Sequence, residues 1–169
     1  MRSLENTAYH EAGHAYAYLL TGRKFKDVTI VREEDSLGHV AIRPPSGLQE
    51  MFEYPDSIMI GPKRLAKRLP KDLCSIAGPV AEKIHCGRNN YSGARYEKRN
   101  IIDWSLYDAP GKITQKYFSL IQEYMQELFS DQKHWRVIIL IATALLEKKT
   151  LSFQEVEQIY NRPGEIGNS

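Results

Sequence analysis

The stretch LENTAYHEAGHAYAYLL, residues 4 to 20, constrains the fold of this chain more than any other. Leu4, Ala8, Ala12, Ala15 and Leu19 recur at the spacing of one face of an α-helix. Ser3 stands before them as an N-cap and Gly22 after them as a stop. Ala12, Gly13 and Ala15 make this helix thin, and a glycine at mid-helix costs about 1 kcal/mol relative to alanine. A helix that carries such a penalty is one that something approaches closely, either a substrate or a neighbouring helix.

The same helix carries His10, Glu11 and His14 in the pattern H-E-x-x-H. Residues four apart share a helix face, so both imidazoles can place a nitrogen on one ion. Glu11 follows His10 directly and sits beside such an ion rather than on it. Zinc brings the pKa of the water it binds to about 7, and a carboxylate so placed can take the proton as general base. The plainer alternative is two histidines that happen to share a face of a structural helix. The costly Gly13 and the small residues around it favour the metal reading. A catalytic zinc takes three protein ligands and keeps one position for water. The metzincin position for a third histidine holds Leu20, which excludes that class. Glu34 follows within REEDSLG, a predicted hairpin turn and a poor place for a buried ligand. His39 and His85 read as ordinary surface or packing histidines.

Further along, Val28 and Ile30, then Val40 and Ile42, alternate with polar residues around a turn containing Asp35, Ser36 and Gly38; Pro44 and Pro45 close this β-hairpin pattern. Leu73, Ile76, Ala77, Val80, Ala81 and Ile84 have helical spacing, with Gly78-Pro79 marking either a kink or a helix start and Gly87 the end. A helix is expected to begin near Asn100 and to carry Asp103, Trp104 and Tyr107. Ile113, Tyr117, Leu120, Ile121, Tyr124 and Leu128 define another, and a helix over Trp135 to Lys148 holds the apolar run VIILIATALL. Ser152 and Glu155 form a capping box for a last helix ending at Tyr160. The expected fold is mostly α, of the α+β class, with a small β-hairpin or sheet beside the HExxH helix. One domain is expected over residues 1–162, with a flexible tail over 163–169.

A formal charge of +2 gives no reason to expect nucleic acid, and the basic segment GPKRLAKRLPKD reads as a solvated helix face. Cys74 and Cys86 are too few for a disulfide framework or a zinc cluster. No secretory signal pattern opens the sequence, so the cytoplasm is the expected compartment. The run from Val137 to Leu146 is far short of the about 20 residues that span a membrane.

YHEAGHAYAYLLTG resembles the start of the peptidase domain of the FtsH-type, AAA+-linked zinc metalloproteases. DVTIVREEDSLGHVAIRP is similar to that family's strand-turn-strand with its Leu-Gly, IAGPVAEKIHCG to its Ala-Glu helix, and RVIILIATALLEKKTLSFQEVEQIY to its closing segment. The resemblance spans nearly the whole chain in the right order. It implies a zincin-like peptidase domain, Zn2+ as cofactor, and His10, His14 and an aspartate after a Gly-Ala loop as ligands. Here Ser92, Gly93 and Ala94 match the loop, but the residue three beyond Ala94 is Glu97 rather than Asp. Two candidates follow. Asp103, in the apolar context IIDW, is the ligand if the loop carries an insertion; Glu97, among Arg95, Lys98 and Arg99, is the alternative. The resemblance also implies that Val40, Ala41 and Ile42 line the catalytic helix as a sheet edge on which an extended peptide can pair.

The sequence contains no G-x-x-x-x-G-K-S/T, so the family's motor is not in this chain. The expected activity is an ATP-independent zinc endopeptidase acting on unfolded or flexible polypeptide, alone, as a self-oligomer or beside a separate unfoldase. The alternatives are a catalytically silent peptidase-fold binding or regulatory module, and a zinc hydrolase of a non-peptide amide.

Overall fold

The computed structural model describes residues 3–31, 38–41, 62–88, 99, 101 and 111–162. Helix α1 spans Leu4–Leu20. Ser3 caps its start by accepting a hydrogen bond from the Asn6 backbone N–H at 3.1 Å. Its end is a Schellman turn: Gly22 adopts a φ of 67°, the Gly22 N–H donates to Leu19 O and the Arg23 N–H to Tyr18 O. Both boundaries agree with the sequence expectation. Of the expected apolar stripe, Ala8, Ala12 and Ala15 are fully buried while Leu4 is exposed. Thr7, His10, Glu11, Gly13, Tyr16, Ala17 and Tyr18 are buried as well, so neighbours cover α1 on several sides.

Strand β1 (Asp27–Thr29) pairs antiparallel with β2 (His39–Ala41), as the hairpin pattern predicts. It also pairs on its other side with β3 (Thr150–Ser152), which sequence periodicity does not reveal. The sheet order is β2-β1-β3. Three residues are too few to display an alternation of their own. The Ile30 N–H donates to Lys149 O and the Phe153 N–H to Lys26 O, so the even-numbered residues of β1 face β3. The backbone N–H and C=O groups of Asp27 and Thr29 therefore face β2, where these residues pair with Ala41 and His39. By the same alternation, Val40 turns its backbone N–H and C=O away from β1.

Helix α2 (Pro62–Cys86) runs through both Pro70 and Pro79, so Gly78-Pro79 lies inside one helix rather than at a start. Gly87, with a φ of 67°, ends it. Arg99 and Ile101 are helical, and Ile101 is buried. Helix α3 (Gly111–Ser130) buries Ile121, Met125 and Phe129. Leu120 is 65% exposed and Tyr124 also points outward, so these two expected core residues lie on the wrong side of the buried stripe. Helix α4 (Gln132–Lys148) starts earlier than Trp135, because the Asp131 side chain accepts from the Lys133 N–H at 2.7 Å and caps it. It buries Val137, Ile138, Ile141, Ala142 and Leu145. Lys149 then takes a φ of 69° and turns the chain directly into β3. The structure is thus mostly helical with a small antiparallel sheet, an α+β arrangement. The tail 163–169 lies outside the described residues.

Helix α5 (Phe153–Tyr160) opens with the capping box expected from Ser152 and Glu155. A hydrogen bond from Lys148, with others from Ser152, holds the Glu155 carboxyl well below the usual range, at about 2. A carboxylate with a depressed pKa contributes stability above its unfolded-state pKa and loses it as the pH falls toward about 2. Ser152→Ala is expected to cost about 1 kcal/mol at neutral pH in denaturant melts. The difference from the unsubstituted chain is expected to shrink in acid; a constant difference would show that Glu155 takes no part in the cap.

Candidate metal centre

The site is built where α1 and α2 cross. A Cβ at Gly13 would stand 2.6 Å from both the Ala77 carbonyl oxygen and the Ala81 Cβ. Gly13 therefore admits a neighbouring helix, the second of the two readings its mid-helix position allows. The helices run antiparallel: the Thr21 hydroxyl meets Cys74 Sγ at one end of the contact, and Tyr9 stacks on His85 at the other.

Between those ends lie His10 and His14. Their Nε2 atoms are 3.1 Å apart, and the rings meet edge to face. His14 Nδ1 is 2.7 Å from the Cys74 carbonyl oxygen, which can only accept, so this nitrogen carries the proton and donates. His10 Nδ1 is 3.0 Å from Glu82 Oε2. Glu82 is buried to 2% exposure and meets this nitrogen from α2. With its Nδ1 turned toward α2, each ring points its Nε2 at the other. Two imidazole nitrogens at about 2.0–2.1 Å from one tetrahedral zinc lie about 3.3 Å apart. The observed separation fits this, and a carboxylate or carbonyl on the far nitrogen is the usual support of a metal-ligating histidine.

Glu11 is buried. A Cβ at Gly38 would meet Thr29 O at 2.8 Å, Thr7 Cγ2 at 3.0 Å and Glu11 Cγ at 3.1 Å. The missing side chain lets the chain leading into β2 lie against α1 at Glu11. The structure thus brings His10, Glu11, His14 and the start of β2 together. Val40 is half-buried and Ala41 lies in β2; Ile42 lies outside the described residues. So do Asp103 and Glu97. Among the described residues, no group of three His, Cys, Asp or Glu side chains is disposed to hold a metal. His85 packs flat on Tyr9 with ring centroids 3.7 Å apart, and it lies 3.6 Å from Glu5.

Two groups at this site escape sequence reasoning. The Cys74 carbonyl carries no side-chain signal. Glu82 does carry one, a lone carboxylate on the apolar face of VAEKI, where a solvated charge is out of place. Glu82→Ala is expected to weaken zinc binding by about 10–100-fold in chelator competition, because His10 Nδ1 loses the partner that holds its ring. Unchanged affinity would show that His10 is oriented by other means.

No protein-family model matches this chain. It is 28% identical over 94% of its length to the ATP-dependent zinc metalloprotease FTSH 9, chloroplastic/mitochondrial, of Oryza sativa subsp. japonica. It is 25% identical over 90% of its length to the ATP-dependent zinc metalloprotease FtsH of Rickettsia bellii (strain RML369-C). The chain spans 22% and 28% of the length of these two relatives. It therefore shows distant homology to FtsH zinc metalloproteases over most of its own length.

Proposed function

We propose that this chain is a zinc metallo-endopeptidase that cuts unfolded or flexible polypeptide without nucleotide. The observation that carries this reading is the facing pair of imidazole Nε2 atoms, 3.1 Å apart, each ring held by a partner on α2. In this reading His10 and His14 hold zinc and Asp103 completes the set, with Glu97 as the alternative. When bound, zinc supplies a Lewis acid that makes water acidic near neutral pH. Glu11 follows His10 on the same turn, takes the proton of the attacking water and returns it to the leaving amine. Glu82 and the Cys74 carbonyl keep the rings from turning while this happens.

Substrate pairs along β2. Among the described residues no strand lies on its outer side. Val40 presents its N–H and C=O in that direction, so an extended peptide there gains main-chain hydrogen bonds that do not depend on its sequence. Gly38 places this edge against Glu11. Among the described residues no helix is long and apolar enough to cross a membrane.

Glu11→Gln is expected to retain zinc and lose cleavage of an unfolded protein such as reduced, alkylated casein; full activity in that variant would remove the general-base role. Asp103→Ala is expected to lose zinc and Glu97→Ala to keep it, read by elemental analysis, and the opposite pattern assigns the ligand to Glu97. Proline is tolerated on a strand edge where its missing N–H faces outward. Val40→Pro is therefore expected to raise KM for extended substrates while zinc content holds. An unchanged KM would take β2 out of the substrate path.

A further inference from the structure

We propose that Gly78 is a positioning residue for the metal centre: the space left by its absent side chain is where the His14 imidazole stands, and this fixes the direction of His14 Nε2. The inference deepens the metallopeptidase reading and rests on it.

Gly78 lies in the interior of α2 with no positive φ, so backbone conformation does not call for glycine there. Glycine in that setting is less stable than alanine. A Cβ built on Gly78 would have His14 atoms as its three nearest neighbours: Nε2 first, then Cδ2 at 2.6 Å and Cε1 at 2.7 Å. Real Cβ contacts essentially never fall below 3.0 Å. The two carbons flank Nε2 in the ring, and their near-equal distances place the missing atom over the ring face at that nitrogen. A methyl group there collides with the ring itself, at the nitrogen that meets His10.

The ring has nowhere to retreat without cost. Its Nδ1 is held in plane by the Cys74 carbonyl, one turn before Gly78 on the same helix. Moving α2 away as a body would open the contact of Ala77 and Ala81 with Gly13. A side chain at 78 therefore turns His14, breaks its hydrogen bond to Cys74, or separates the helices. The first two swing Nε2 away from its place 3.1 Å from His10 Nε2. Each outcome changes the direction or the separation of the two rings, on which imidazole–metal bonding depends.

Pro79 offers a competing explanation. Proline crowds the Cβ of the residue before it when that residue is helical, and glycine relieves this. The two explanations separate in the metal-free protein. If His14 is the constraint, Gly78→Ala lowers the melting temperature of the full chain, and His14→Ala removes that loss while Pro79→Ala does not. The opposite rescue pattern overturns the proposal. If Gly78→Ala alone does not fold, recovery of the fold in the double variant with His14→Ala supports the proposal, and failure to recover overturns it.

The metal itself gives a second readout. Zinc affinity of Gly78→Ala by chelator competition is expected to fall about tenfold or more. The visible absorption of the cobalt(II)-loaded variant is expected to differ from that of the unsubstituted chain. Equal affinity with an identical cobalt spectrum overturns the proposal. If the unsubstituted chain binds neither metal, the proposed function fails, while the metal-free melts still decide whether Gly78 sets the His14 ring.

Discussion

The contact of Gly13 with Ala77 and Ala81 sets the separation of α1 and α2, and the rest of the site depends on that separation. With backbone and methyl groups in direct contact, the helices lie close enough for Glu82 to reach His10 and for the Cys74 carbonyl to reach His14. A larger side chain at 13, 77 or 81 would push both partners out of hydrogen-bond range. A glycine at this helix-interior position, despite its penalty, is what permits so close a crossing.

Those polar contacts are a poor source of stability and a good source of direction. Glu82 and His10 are both buried, and taking such groups from water costs several kcal/mol before their attraction returns it. A hydrophobic pair of the same volume would pack this crossing at least as well. What the pair supplies is a ring angle, which a metal ligand needs and a core residue does not. Elsewhere the buried polar groups serve the architecture. Tyr117 donates to Asp72 at 2.8 Å, and burial, with the Asp72 charge, raises its pKa so that it keeps its proton. Tyr16 shares a hydrogen bond with His134, linking α1 to α4.

The sheet ties the two ends of the sequence together behind this site. β1 follows α1 and is bracketed by β2 and by β3 from the far end of the chain. Thr29 meets Thr150 through their hydroxyls at 2.8 Å, on the β1 side that faces β3. With β3 on one side of β1, β2 takes the other, next to α1. Gly38 then lets its backbone approach Glu11. Removing β3 from the pairing would free β1 to slip, and the phase that turns Val40 outward would no longer be specified.

Local chemistry was legible in the sequence wherever one segment decides its own structure. The limits of α1 follow from Ser3 and Gly22, the start of α5 from Ser152 and Glu155, and the placing of His10 and His14 on one face from helical geometry alone. The spacing of α3 was legible too, but its direction was not. Leu120 and Tyr124 satisfy the period as well as Met125 and Phe129 do, and only the position of neighbouring helices decides which stripe is covered. β3 was hidden because three residues carry no periodicity, and pairing with β1 is a long-range event. The H-E-x-x-H pattern by itself determined which groups could hold a metal and which could move a proton. Only the tertiary structure decided which nitrogens face each other, because ring direction is set by Glu82 and Cys74 from a helix far away in sequence.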